Sequence, residues 1–234
     1  MVKLSVDDES DYFPSNGVLI KLKCLSINNC IFTNSYLELP DLIELEITSI
    51  KVKTFDFNLA NLRILKLTNC DIRVYHLLCT NLMQLSLINC GGQTALDNLI
   101  NLTDLTVENT LVSGLRTNLI KLSLTDDNND ISHLTNLTDL HIDFKVDNLS
   151  SLINLTRLSF NGDDIELPNS LRTLICNKTP LFRNIERTIF RFEALNKILN
   201  KLSIDCQVEG VILHNDFDRK PILVNQDGLR MLYF

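Results

Sequence analysis

Leucine and its aliphatic substitutes recur along the chain in one pattern, Leu-x-x-Leu-x-Leu, with mostly polar or small residues between them. The pattern begins at Leu22, Leu42, Leu62, Leu82, Leu102, Leu119, Leu137, Leu155 and Leu171, so neighbouring starts lie 20, 20, 20, 20, 17, 18, 18 and 16 residues apart. The fourth and sixth positions flank a polar residue, as in Leu65-Lys66-Leu67 and Leu105-Thr106-Val107. That period of two marks a strand with one buried face. A single strand-and-turn unit cannot bury such a face alone. The units must therefore stack, each strand running parallel to the next. Coils this short leave too few residues for an α-helix on the return side, where extended segments or 3₁₀ turns are expected.

The ends follow the phase less closely. Met1, Leu4 and Val6 precede Leu22, Leu25 and Ile27 by one coil in the same register, and Leu229, Leu232 and Phe234 repeat the phase near the other end. Between them, Ile185, Ile189, Phe192, Leu195, Ile198, Leu199 and Leu202 fall at three- and four-residue steps, which predicts an amphipathic helix covering the last coil. Two strand registers compete after it, Leu199-Leu202-Ile204 and Val208-Val211-Leu213, and the pattern leaves both open. The expected organisation is a solenoid over residues 1–180, with 1–21 as an N-terminal cap or partial repeat. Residues 181–234 form a capping segment of helix plus strands.

Nine consecutive matches over about residues 19–180 resemble the leucine-rich repeat family. Leucines at three-residue steps, Leu96, Leu99, Leu102, Leu105 and again Leu149, Leu152, Leu155, Leu158, are similar to the short class found in phosphatase regulators and bacterial internalins. Cys30, Cys70 and Cys90 close the motif and resemble the longer repeats of ubiquitin-ligase substrate receptors. The resemblance implies a mostly β leucine-rich repeat solenoid of the α/β class, with a curved parallel sheet on the concave face and short segments on the convex face. The cysteines read as packing residues, small enough for the slot and able to donate weakly. Asn61, Asn81, Asn101, Asn118, Asn136 and Asn154 each precede a strand leucine. They read as turn residues that tolerate the left-handed region.

Residues three, five and seven of each motif should face outward. The first of these columns alternates in sign from Asp104 through Lys121 and Asp139 to Arg157, an arrangement that favours neighbouring strands. Candidate binding residues on the concave face are Glu44, Glu46, Lys66, Asp104, Glu108, Lys121, Asp139, His141, Asp143 and Arg157. Ile64, Met83, Ile88 and Phe144 are the candidate apolar anchors, because a few such contacts carry most interface energy. Ile64 and Ile88, on neighbouring coils, are expected to form a patch.

Composition narrows the remaining classes. The chain holds 44 Leu and 26 Asn among 234 residues, with 7 Gly, 5 Pro, no Trp and a net charge of −7. An acidic chain gains nothing from tracking phosphates or anionic lipid, so neither nucleic acid nor membrane is an expected partner. No apolar run is long enough to span a bilayer, and the N-terminus lacks a signal-peptide pattern. Seven cysteines without such a leader read as free thiols, placing the protein inside the cell, in the cytoplasm.

Asp139-x-His141-x-Asp143 has the residue types of a metal site. Residues two apart on a strand are about 6.6 Å apart, however, and Lys121 and Arg157 should flank Asp139, so no metal is expected. Cys206, His214 and Asp216 have the types of a thiol nucleophile and its base, with no supporting motif. Phosphate-loop, zinc-protease and nucleophile-elbow motifs are missing from the sequence, and no cofactor or small-molecule substrate is inferred. The expected function is a non-catalytic interaction module whose concave sheet binds a partner protein. The alternative is a substrate-recognition arm of a larger complex such as a ubiquitin ligase, with residues 181–234 docking the rest.

Overall fold

The computed structural model describes residues 2–7, 21–29, 36–49, 56–70, 79–125, 129–144, 146, 148–160, 166–176, 206–209, 212–214, 221–225 and 228–231. The helix expected over 181–202 and the strand register through Leu199, Leu202 and Ile204 lie outside these residues, as does Cys30. Among the described residues no helix is long and apolar enough to cross a membrane. The chain divides into two compact units, Met1–Asn129 and Asp130–Phe234.

The first unit contains β1 (Lys3–Asp7), β2 (Cys24–Asn28), β3 (Tyr36–Glu38), β4 (Glu44–Thr48), β5 (Asp56–Asn58) and β6 (Ile64–Thr68). It continues with β7 (Gln84–Ile88), β8 (Gln93–Ala95), β9 (Asp104–Glu108), β10 (Leu111–Ser113) and β11 (Lys121–Leu124). The five-residue strands and β11 form a parallel sheet in the order β1-β2-β4-β6-β7-β9-β11. Leu4, Leu25, Leu45, Leu65, Leu85, Leu105 and Leu122 share one row, as the repeat predicts. The three-residue strands lie on the return side, where β3 pairs with β5 and β8 with β10, both parallel. Coils of about 20 residues are thus turns of a parallel β-solenoid, and β3, β5, β8 and β10 are extended on the return side.

Burial explains the register. The row Leu25 to Leu122 is at most 2% exposed, and Ile27, Ile47, Leu67, Leu87, Val107 and Leu124 fill the row beside it. Slipping one strand by one residue would turn these side chains to solvent and bury the polar ones, so the pattern tolerates a single alignment. A third row, Leu22, Leu42, Leu62, Leu82, Leu102 and Leu119, packs just before the strands. The N–H of Leu62 donates to the Leu59 carbonyl at 3.0 Å, and Leu82 and Leu102 repeat the turn onto Cys79 and Leu99.

The asparagines before the strands work differently from expectation, since none has a left-handed backbone. Nδ2 of Asn61, Asn81 and Asn101 instead donates to the Pro40, Ala60 and Thr80 carbonyls of the preceding coil, at 2.7 to 2.8 Å. They tie coil to coil rather than closing their own turn. The left-handed positions come just after the strands, at Asn29, Ser49, Asn69, Asn89 and Asn109, with φ between 48° and 57°. Cys70 and Cys90 follow this kink, buried, with each Sγ within reach of two carbonyls. Thr110 takes the same slot in the next coil, donating to the Glu108 carbonyl at 3.0 Å and accepting from the Cys90 N–H at 2.9 Å.

The second unit contains β12 (Asp139–Ile142), β13 (Arg157–Phe160), β14 (Thr173–Cys176), β15 (Gln207–Glu209), β16 (Ile212–His214), β17 (Pro221–Asn225) and β18 (Gly228–Met231). The first four form a parallel sheet in that order, over a core that includes Leu137, Leu140, Leu155, Leu158, Leu171 and Leu174. Val208 stands opposite Leu174, so it continues the leucine row. β16, β17 and β18 form an antiparallel sheet, which places Leu229 in a hairpin facing Val224 rather than in a further parallel rung.

Candidate functional site

Three rows of side chains leave the outer face of the first unit's sheet. Cross-strand register sets the first as Lys3, Cys24, Glu44, Ile64, Gln84, Asp104 and Lys121. The second is Ser5, Ser26, Glu46, Lys66, Ser86, Thr106 and Ser123, and the third is Asp7, Asn28, Thr48, Thr68, Ile88 and Glu108. In the second unit, Asp139, Arg157 and Thr173 form one row and His141, Ser159 and Ile175 the next. Met83 precedes β7, and Asp143 and Phe144 follow β12, so these three stand at strand ends outside the rows.

The charges answer one another sideways. Lys66 Nζ lies 3.1 Å from Glu44 Oε1, diagonally across β6 and β4. Arg157 Nε lies 3.9 Å from Asp139 Oδ2, and the Gln84 amide donates to Asp104 at 3.5 Å. These pairs are solvent-exposed, so each contributes no more than about 1 kcal/mol to folding. Their larger effect is to order the face: long side chains lie along the sheet between short hydroxyl residues.

Two outward positions are covered. Cys24 is 5% exposed, packed between Lys3 and Glu44 in its row, with Sγ 3.7 Å from Glu44 Oε2. Burial first, then the Glu44 carboxylate, pushes this thiol above its ordinary value. Ser159 is buried, with His141 and Ile175 as its register partners on the flanking strands.

Ile64 and Ile88 do not form the expected patch. Ile64 opens β6 and Ile88 closes β7, leaving them four residues apart along the strands, about 13 Å. Both are half-buried. Among the exposed apolar residues, which include Val2, Ile100, Leu111 and Ile153, three stand just before strands of the sheet, at Ile43, Met83 and Ile120. Backbone hydrogen bonds run through this second motif position from Lys23 to Ile43, Arg63, Met83, Thr103 and Ile120. Sequence reasoning found Met83 and missed its two column mates. The available signal was an apolar residue alternating with Arg63 and Thr103 at a position the core does not use.

Among the described residues no three His, Cys, Asp or Glu side chains are grouped to hold a metal ion. Asp139 and His141 lie two residues apart on β12, with the Arg157 guanidinium beside Asp139. Cys206 is 2% exposed, and burial raises its thiol against the opposing pull of Arg172. A buried, protonated thiol is a poor nucleophile. No family model matches the chain, and no curated protein does either.

Proposed function

We propose that the protein is a leucine-rich repeat module that binds a partner protein on the outward face of its parallel sheet, without catalysis. The observation that carries this reading is the set of three in-register rows, where short hydroxyl side chains alternate with Glu44, Glu46, Lys66, Asp104, Glu108 and Lys121. Core packing does not require these identities. Small side chains let a partner approach the sheet, and the charges set its orientation more than its affinity. Ile64 and Ile88 supply half-buried apolar contacts at two separate points of the face. Asp139, His141 and Arg157 offer a second group on the other unit.

An intracellular setting fits the same reading, since Cys24, Cys70, Cys79, Cys90 and Cys206 are buried and outside any disulfide, as thiols of reducing compartments are. The test is affinity capture from native lysate with the wild-type chain and with a variant carrying Ile64→Glu, Lys66→Glu, Ile88→Glu and Asp139→Lys. Loss of a specific partner, with an unchanged circular dichroism spectrum, is the expected result. Equal recovery by the folded variant would remove the outward face from consideration.

A further inference from the structure

β1 ends the sheet of the first unit: among the described residues its one strand neighbour is β2. Its burial differs from that of every inner strand. Leu4 and Val6 are half-exposed, whereas their register partners Leu25 and Ile27 are fully buried. Among the described residues nothing pairs with the far side of β1, and its apolar strip is only half-covered.

The direction of the backbone groups of β1 can be fixed. The Val2 carbonyl accepts from the Lys23 and Cys24 N–H groups, at 3.1 and 3.3 Å, so residue 2 faces β2. Successive residues of a strand alternate sides. Leu4 and Val6 therefore also turn their N–H and C=O toward β2, while those of Lys3, Ser5 and Asp7 turn toward the open edge.

We propose that this edge pairs with the edge of a second copy of the chain, the two β1 strands running antiparallel about a twofold axis at Ser5. In an antiparallel ladder, residues that exchange both hydrogen bonds recur at every second position. The outward residues supply that set: Ser5 faces Ser5 of the second copy, and Lys3 faces Asp7 in both directions. Six backbone hydrogen bonds result. On the inner face Leu4 meets Val6 of the second copy, completing the strip each copy leaves half-covered.

Lysine on an edge strand ordinarily deters pairing, but in this register each ammonium meets a carboxylate. Shifting by two residues sets a charge against Ser5, and shifting by four sets Lys3 against Lys3 or Asp7 against Asp7. The five residues Lys3-Leu4-Ser5-Val6-Asp7 are thus complementary to themselves in one alignment, which is what an isologous interface needs. The proposal stands apart from partner binding on the rows, because it uses the strand edge and not the sheet face.

Sedimentation velocity of the full chain over a concentration series tests it. The wild type should show a concentration-dependent monomer–dimer equilibrium. Lys3→Asp and Asp7→Lys should each move the midpoint to about tenfold higher concentration, since each places like charges opposite one another at both ends of the pair. The double variant Lys3→Asp/Asp7→Lys should return it close to wild type. Circular dichroism of each variant checks that the fold persists. A wild type that stays monomeric at every concentration overturns the proposal, and so do single reversals that leave association unchanged or a double variant that fails to restore it.

Discussion

Asparagine serves two separate purposes in the coils that begin at Leu62, Leu82 and Leu102. Before a strand it reaches back with Nδ2 to a carbonyl one coil earlier; after a strand it adopts a left-handed backbone and joins its neighbours. Asn109 donates to Asn89 at 2.8 Å and Asn89 to Asn69 at 3.1 Å, so side-chain amides form a ladder parallel to the backbone one. At Asn89, φ is 52°, a conformation that costs most residues with a Cβ about 1–2 kcal/mol. Asn89→Gly should lose only the amide contacts, whereas Asn89→Ala should lose those and add the strain. Urea denaturation should place the alanine variant about 1 kcal/mol below the glycine variant. Equal midpoints would mean that the kink sets no residue preference. The sequence showed one asparagine column clearly and led to the wrong job for it, because left-handed turns and reaching side chains draw on the same residue type. The second column, Asn29, Asn69, Asn89 and Asn109, repeats every 20 or 40 residues and was equally available.

Coils are the elements that matter for stability, since each buries its aliphatic rows only against its neighbours. Leu105, in the interior row and 0% exposed, should cost about 2–5 kcal/mol when replaced by alanine. Leu4 occupies the same row at the half-exposed edge, so Leu4→Ala should cost less than half as much. Chemical denaturation of the two variants side by side checks the ranking. A reversed order would place the end coil, not the interior, at the centre of stability. Strand positions were legible because a period of two inside a period of twenty has one physical solution. The return side was legible only as extended, since its three-residue strands carry no alternation long enough to read. The rows facing outward followed directly from the strands. Apolar anchors did not, because exposure at Ile43, Met83 and Ile120 depends on where a strand begins rather than on its alternation.

At the scale of the whole molecule, buried thiols set a limit on alkaline conditions. Burial lifts Cys79 from an ordinary value of 9.0 to about 11; burial also raises Cys24 and Cys206, and a hydrogen bond with Cys70, then burial, raises Cys90. A folded value above the unfolded one means that this contribution is whole below pH 9. It is lost as the pH climbs through 9 toward 11, because the unfolded chain ionises first. Cys79 alone removes about 1.4 kcal/mol per pH unit across that window. Urea midpoints should therefore fall steeply between pH 9 and 11, and Cys79→Ala should fall less steeply from a lower start. A flat wild-type profile would contradict the burial of these groups.

The even spacing of the first coils has a consequence for how such a chain can change in length. Residues 62–81 begin and end at equivalent points of the turn, with Leu62 and Leu82 in the same row and Asn61 and Asn81 making the same bond. Excising that block would splice Asn61 onto Leu82 and leave every later side chain facing as before, whereas removing one residue fewer would invert a strand. Gain and loss of material in the first unit is thereby quantised: whole coils are interchangeable parts, and fractions of a coil are not.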